Sequence, residues 1–133
     1  MSYVEWAKQK ASVVKGFILN APEGSDSKSL HYVQSYVKYF SEKQGWDNQN
    51  PYKDVGLLCE EAGELAQAVR RVVDGRDSHD KEENMNEQEK IDAVKEEIGD
   101  VLRELANIAN RYGITLDEAF KYHREKLQRE YGE

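Results

Sequence analysis

The sequence contains one cysteine, two prolines and three histidines among its 133 residues, and no hydrophobic run approaches the length of a membrane span. The single cysteine, Cys59, excludes an internal disulfide, and its position on the apolar side of a predicted helix indicates a small core residue. The scarcity of proline permits long helices. The first residues, Met-Ser-Tyr-Val-Glu-Trp, lack a basic start followed by an apolar run, so we expect no signal peptide. These absences predict a cytoplasmic protein without a membrane anchor.

Positive charge is also in short supply, with 19 basic against 26 acidic residues and a net charge of -7. No basic patch stands out, which argues against stable nucleic-acid binding. A polyanionic substrate would need a metal ion to be attracted to such a chain. The sequence has no Glu-x-x-His pair, which excludes a diiron carboxylate bundle.

The apolar residues that are present recur at helical spacing. A length of 133 residues, with 38% hydrophobic and 34% charged residues, suits one helical domain. We expect a helix and a turn-rich linker over residues 1–26, packed as one compact unit with a domain over residues 27–133. In that domain the spacing predicts helices from about 27 to 45, 52 to 74, 86 or 89 to 111, and 115 to 131, with a mobile connection or a polar surface excursion over 75–90. The predicted fold is an all-α four-helix-bundle core with an extra N-terminal helix.

Two short stretches repeat one pattern, apolar-x-Glu-Glu-apolar-Gly-acid-apolar. They are Leu58-Cys-Glu60-Glu61-Ala-Gly-Glu64-Leu65 and Val94-Lys-Glu96-Glu97-Ile-Gly-Asp100-Val101. On a helix that advances about 100° per residue, the second glutamate and the final acid of each stretch lie on the same flank of the apolar stripe. Antiparallel packing of two such helices would bring four carboxylates together.

Four clustered carboxylates need a counter-charge. Like charges about 4 Å apart cost on the order of 4 kcal/mol per pair at an effective dielectric near 20, and desolvation of each ion adds several more. A bound cation or protonation relieves that cost, and all-oxygen ligands favour Mg²⁺ or Mn²⁺ over zinc. The alternative is a solvated acidic helix face. The repeat, the shared flank, and the glycines Gly63 and Gly99 make that alternative the weaker one.

Other candidate residues lie outside the repeat. Trp46 and Lys53 belong to a polar loop and the helix start that follows it, where they either cover the edge of the core or hold a base and its phosphates. The last predicted helix carries cationic residues that are either plain surface charge or phosphate contacts. The candidates there are His123, Lys126 and Arg129.

The spacing Glu60-Glu61-x-x-Glu64 followed by Glu97-x-x-Asp100 resembles the signature of the MazG-like, all-α nucleoside triphosphate pyrophosphohydrolases. The resemblance runs from about residue 31 to 131. It implies the all-α pyrophosphatase fold and Mg²⁺-dependent hydrolysis of a nucleoside triphosphate between the α and β phosphates. The implied metal ligands are Glu61, Glu64, Glu97 and Asp100, and the implied catalytic residues are Glu60 and Glu61, with Glu60 orienting the attacking water or binding a further ion.

Three alternatives stay open. The related phosphoribosyl-ATP pyrophosphohydrolase of histidine biosynthesis shares the acidic motif type, but the Trp46 loop fits the MazG-like group better. A helical interaction module without catalysis is the second. The third open point is which base the substrate carries, because His31 lies too early in its helix to match the histidine of deoxycytidine-preferring relatives. Since the acidic helices carry more apolar surface than one small bundle can cover, we also expect a homodimer or a tetramer.

Overall fold

The structure, a computed structural model, describes residues 5–6, 29–74 and 85–132. Over these ranges the regular elements are all helical: α1 (Leu30–Gln44), α2 (Pro51–Asp74), α3 (Glu87–Arg111) and α4 (Leu116–Tyr131). The predicted all-α class is therefore confirmed. Glu5 and Trp6 are helical, whereas the rest of the predicted N-terminal helix, its linker and residues 75–84 of the polar excursion lie outside the described residues.

The chain divides into two compact units. Unit 1 comprises Met1–Gln49 and Ala106–Glu133, and unit 2 comprises Asn50–Leu105. Unit 1 therefore contains all of α1, all of α4 and the C-terminal end of α3. Unit 2 contains α2 and most of α3. None of the four described helices combines the length and the apolar character needed to cross a bilayer.

Helix α1 begins and ends where its local sequence provides caps. The Ser29 hydroxyl accepts a hydrogen bond from the Tyr32 backbone N–H at 3.0 Å. At the other end Gly45 has φ 75° and donates its N–H to the Glu42 carbonyl at 3.1 Å. Glycine adopts this left-handed conformation without strain, so it ends the helix cleanly. The predicted end at residue 45 is confirmed, and the helix begins slightly later than predicted.

The connection between α3 and α4 follows the same logic. Gly113 has φ 65°, and the Ile114 N–H bonds back to the Ala109 carbonyl at 2.9 Å. Thr115 then caps α4, since its hydroxyl accepts a hydrogen bond from the Glu118 N–H at 3.0 Å. The sequence predicts a C-cap at Gly113 and a capping box of Thr115 with Glu118. The structure has the Gly113 cap and the Thr115 hydroxyl bond of that box.

The core of unit 1 contains a buried amide network. Gln34 is fully buried; its side-chain nitrogen donates to Asn110 Oδ1 at 3.2 Å and to the Ile114 carbonyl at 3.0 Å. Its side-chain oxygen accepts from the Leu116 N–H at 2.6 Å, and Asn110 Nδ2 donates to the Gln34 carbonyl at 3.1 Å. These four bonds fasten α1 to the end of α3 and the start of α4.

An indole ring closes another side of unit 1. Trp6 is buried, its Nε1 donates to Glu42 Oε2 at 2.6 Å, and its ring meets the edge of Tyr39 with centroids 5.7 Å apart. The contact attaches this part of the N-terminal segment to α1.

Unit 2 is far less buried in the single chain. Only Asp54 and Ala68 of α2 are buried, and Cys59 is exposed. The apolar stripe of this helix predicts that most of the helix is buried and that Cys59 is a core residue. Both predictions are wrong for the isolated chain, because no described element covers that flank. The exposed apolar residues of unit 2 include Val55, Val69, Val73, Ile91, Ile98 and Leu105. The predicted homodimer or tetramer would cover them and stays a prediction.

Candidate metal centre

Four carboxylates of unit 2 come together between α2 and α3. Glu61 and Glu64 project from α2, and Glu97 and Asp100 from α3, because a spacing of three residues places both acids of each helix on one face. One oxygen from each of the four lies within 4.8 Å of the others. The structure thus assembles the four residues that the sequence singled out, while their role as metal ligands stays a prediction.

Glu61 is held in a setting that disfavours its negative charge. Burial raises the pKa of the Glu61 carboxyl, repulsion from Glu64 and Asp100 raises it further, and a hydrogen bond with Glu64 acts in the same direction. The Arg103 guanidinium offsets part of this rise. A cation bound beside Glu61 would relieve the same repulsion.

Glu97 repeats this setting on the opposite helix. Its pKa is raised by burial first, then by the charges of Glu64, Asp100 and Glu96, and by a hydrogen bond with Glu64. Glu61 interacts with Asp100, and Glu97 with Glu64, which is the pairing of antiparallel helices. The predicted antiparallel arrangement is therefore confirmed within unit 2.

The donor set fits a hard divalent ion. Glu61 Oε2 and Glu97 Oε2 are buried and have no hydrogen-bond partner within the described part of the chain. A buried carboxylate oxygen without a partner is costly, and a cation supplies the missing interaction. Because all four side chains offer carboxylate oxygen, their chemistry suits Mg²⁺ or Mn²⁺ better than zinc.

Arg103 lies at the rim of this cluster. Its guanidinium nitrogens are 3.7 Å from Glu61 Oε1 and 3.9 Å from Asp100 Oδ1. Its Nε is also 3.4 Å from Oε1 of Glu104, a residue only 3% exposed. Arg103 is not among the site residues that the sequence pattern predicts. The available signal was its position three residues after Asp100, which places a basic residue on the same helix face.

Two further predicted residues lie in unit 2 but outside the cluster. Glu60 is exposed beside Glu61 on α2, and Lys53 is exposed near the start of the same helix. Neither contributes an oxygen or a positive charge to the four-carboxylate group. Their assigned roles in catalysis and substrate binding stay predictions.

The remaining candidates lie in unit 1. Trp46 is 41% exposed, and its ring makes a T-shaped contact with the ring of Phe40 on α1, with centroids 5.6 Å apart. On α4, the rings of His123 and Phe120 lie side by side with their centroids 6.2 Å apart. His123, Lys126 and Arg129 are all exposed. Their contacts with a nucleotide stay predictions.

Comparison with known proteins places these motifs in a family context. The sequence profile of the MazG nucleotide pyrophosphohydrolase domain matches residues 49–131. A Bacillus subtilis (strain 168) protein, named uncharacterized protein YvdC, is 42% identical over 99 residues, which cover 74% of this chain and 92% of the relative. No solved structure gives a significant match.

Proposed function

Since this chain belongs to the MazG nucleotide pyrophosphohydrolase family, we propose that it hydrolyses a nucleoside or deoxynucleoside triphosphate between the α and β phosphates. The products are the monophosphate and pyrophosphate, and the required ion is Mg²⁺, with Mn²⁺ as a substitute. The observation that carries the proposal is the set of four carboxylate oxygens within 4.8 Å of one another. Unlike the groups of a solvated acidic face, Glu61 and Glu97 each have a buried oxygen without a hydrogen-bond partner among the described residues, and a triphosphate with its ion needs such a site.

The residues divide the work by position. Glu61, Glu64, Glu97 and Asp100 hold the ion, which when bound neutralises phosphate charge and makes the attacking water more acidic. Glu60 is exposed next to Glu61, where its carboxylate can accept a hydrogen bond from the water and orient it. The water oxygen bonds to the α phosphorus, and the bond from that phosphorus to the bridging oxygen breaks. Pyrophosphate leaves with the bridging oxygen, and the proton that the water loses is released to solvent.

The substrate contacts form a second part of the proposal. The open face of Trp46 offers a stacking surface for a base, and Lys53 offers a cation to the phosphates. His123, Lys126 and Arg129 are proposed as further phosphate contacts. A net charge of -7 opposes the approach of a polyanion, so the substrate arrives as its metal complex. We also propose that the protein works in the cytoplasm as a homodimer or tetramer, without stable nucleic-acid binding.

The test is a hydrolysis assay with a matched pair of variants. Purified protein is incubated with Mg²⁺ and each common ribo- and deoxyribonucleoside triphosphate, and both products are measured. Glu97→Gln removes a ligand, and we expect it to reduce turnover by about 10³-fold, since the ion supplies several kcal/mol of charge stabilisation. Glu96→Gln makes the same charge change at the exposed neighbouring position and should stay within about twofold of the wild type.

The outcomes separate the open alternatives. Pyrophosphate from one or a few substrates establishes the reaction and identifies the base. No release from any of them, with Mg²⁺ binding intact, contradicts hydrolysis of the common nucleotides and favours phosphoribosyl-ATP or a modified nucleotide. Absence of both release and metal binding favours a non-catalytic interaction module.

A further inference from the structure

The arginine at the rim of the carboxylate cluster has no part in the proposed reaction so far. We propose that Arg103 is a positioning residue that serves as an exchangeable counter-ion. It balances Glu61 and Asp100 while no divalent ion is bound, and it gives up both when an ion enters. The inference rests on the proposed metal centre and adds a residue that controls how tightly that centre binds its ion.

The contact distances suit a partner that can be exchanged. The guanidinium approaches Glu61 at 3.7 Å and Asp100 at 3.9 Å, beyond the usual range of a hydrogen bond. These contacts are therefore electrostatic attractions without a directional bond to break. A divalent ion can replace them by offering more charge at a shorter distance.

Glu104 supplies the anchor that an exchangeable group needs. Its carboxylate is almost fully buried, with Oε1 3.4 Å from Arg103 Nε. Neighbouring residues on a helix do not normally face each other, so the contact requires the long arginine side chain to turn toward Glu104. Glu104 Oε2 is buried and has no hydrogen-bond partner among the described residues, and the ion pair with Arg103 offsets the charge of this carboxylate. Glu104 keeps Arg103 beside the cluster after Glu61 and Asp100 have changed partners.

The arrangement has a measurable consequence for metal affinity. A positive charge beside two ligand carboxylates competes with the incoming ion. A unit charge at this range alters the ion affinity of a carboxylate by about tenfold or more. Arg103 therefore weakens the centre in the free protein, so that the ion binds most firmly when a substrate brings additional ligands.

The test measures metal binding without nucleotide. Mn²⁺ is titrated by calorimetry into the wild type, Arg103→Gln and Arg103→Lys. We expect Arg103→Gln to bind Mn²⁺ about tenfold more tightly, because the competing charge is gone. Arg103→Lys keeps the charge and should remain within about threefold of the wild type.

Two more variants isolate the cause. Glu104→Gln leaves the arginine charge unbalanced and should weaken Mn²⁺ binding, and adding Arg103→Gln to it should restore tight binding. Lys95→Gln makes the same charge change on α3 at an exposed lysine that pairs with Asp92 at 3.3 Å, and should stay within about twofold of the wild type. Thermal melts of each metal-free variant verify folding, and the Arg103 variants suffice if Glu104→Gln does not fold.

The results distinguish this inference from the proposed reaction. Unchanged or weaker Mn²⁺ binding by Arg103→Gln, with normal binding by the wild type, overturns the counter-ion role alone. A wild type that binds no ion overturns the metal centre and the counter-ion role together. Tighter binding by Arg103→Gln supports the counter-ion role even when no nucleotide is hydrolysed.

Discussion

The two units bury polar side chains in opposite ways. In unit 1 the Gln34 amide meets complementary groups, with each donor aimed at an acceptor and its oxygen accepting a backbone N–H. In unit 2 the clustered groups carry the same charge, and two of their buried oxygens lack a hydrogen-bond partner in the described part of the chain. A satisfied network fastens helices together, whereas an unsatisfied one marks a place for a ligand.

The two units also differ in how many apolar side chains they bury. Val37, Tyr39, Ala106 and Ala109 are buried in unit 1, whereas Ala68 is the one fully buried apolar residue among those described in unit 2. Apolar burial supplies most of the favourable free energy of folding, so unit 2 has less of it to offset its charge repulsion. The contrast predicts that substitutions in the two units change stability in different directions.

The largest expected effect on stability is at Gln34. Gln34→Ala leaves the Leu116 N–H, the Ile114 carbonyl and the Asn110 side chain without their buried partner. Each stranded group costs about 1–3 kcal/mol, so we expect the free energy of unfolding to fall by about 3 kcal/mol. Urea unfolding measures this change. Mn²⁺ affinity should not change.

The matched control for that variant is Gln44→Ala, at the exposed last residue of α1. It should alter the free energy of unfolding by less than about 0.5 kcal/mol. A loss below about 1 kcal/mol for Gln34→Ala would mean that the network is dispensable, and the contrast between the units would no longer hold.

The second prediction concerns pH in the metal-free protein. The pKa values of Glu61 and Glu97 are raised in the folded state, so the folded protein binds more protons than the unfolded chain between the ordinary and the raised values. The free energy of unfolding therefore falls as pH rises through that window. With a chelator present, we expect a higher melting temperature at pH 5.5 than at pH 7.5.

Comparison with a double variant removes the contribution of other titrating groups. Glu61→Gln combined with Glu97→Gln deletes both carboxyls, and the charged groups around them are Glu64, Glu96, Asp100 and Arg103. The melting temperature of the double variant should exceed that of the wild type by more at pH 7.5 than at pH 5.5. Equal stability differences at the two pH values would contradict the raised pKa values of Glu61 and Glu97.

The smallest expected effects are at glycines, and their sign differs between the units. Gly63 and Gly99 lie inside α2 and α3, and an added Cβ at either position meets open space. Replacement by alanine should therefore stabilise the metal-free protein by about 0.5–1 kcal/mol at each site. Gly45 and Gly113 of unit 1 have φ values of 75° and 65°, where alanine should cost about 1–2 kcal/mol.

Thermal unfolding of the four alanine variants decides the point. Destabilisation by Gly63→Ala or Gly99→Ala would show that these glycines allow a close approach that the single chain does not contain. That result would favour the predicted homodimer or tetramer.

The sequence was sufficient for features that depend on local periodicity. The helix limits at Gly45 and Thr115 follow from their capping residues, and the carboxylate cluster follows from two acids spaced by three residues on each of two helices. Features that depend on distant parts of the chain were not accessible. Gln34 bonds to Asn110, 76 residues away, and a glutamine on a helix carries no pattern that identifies such a partner. The exposure of Cys59 was missed because an apolar stripe indicates burial without identifying the surface that covers it.

The positions of the two tryptophans have a spectroscopic consequence. Trp6 and Trp46 both belong to unit 1, and unit 2 contains no tryptophan. Indole emission therefore reports on one unit, while far-ultraviolet circular dichroism reports on the helices of both. If the two signals change at the same temperature, the units unfold together, and if emission is retained after ellipticity begins to fall, the acidic helices unfold first.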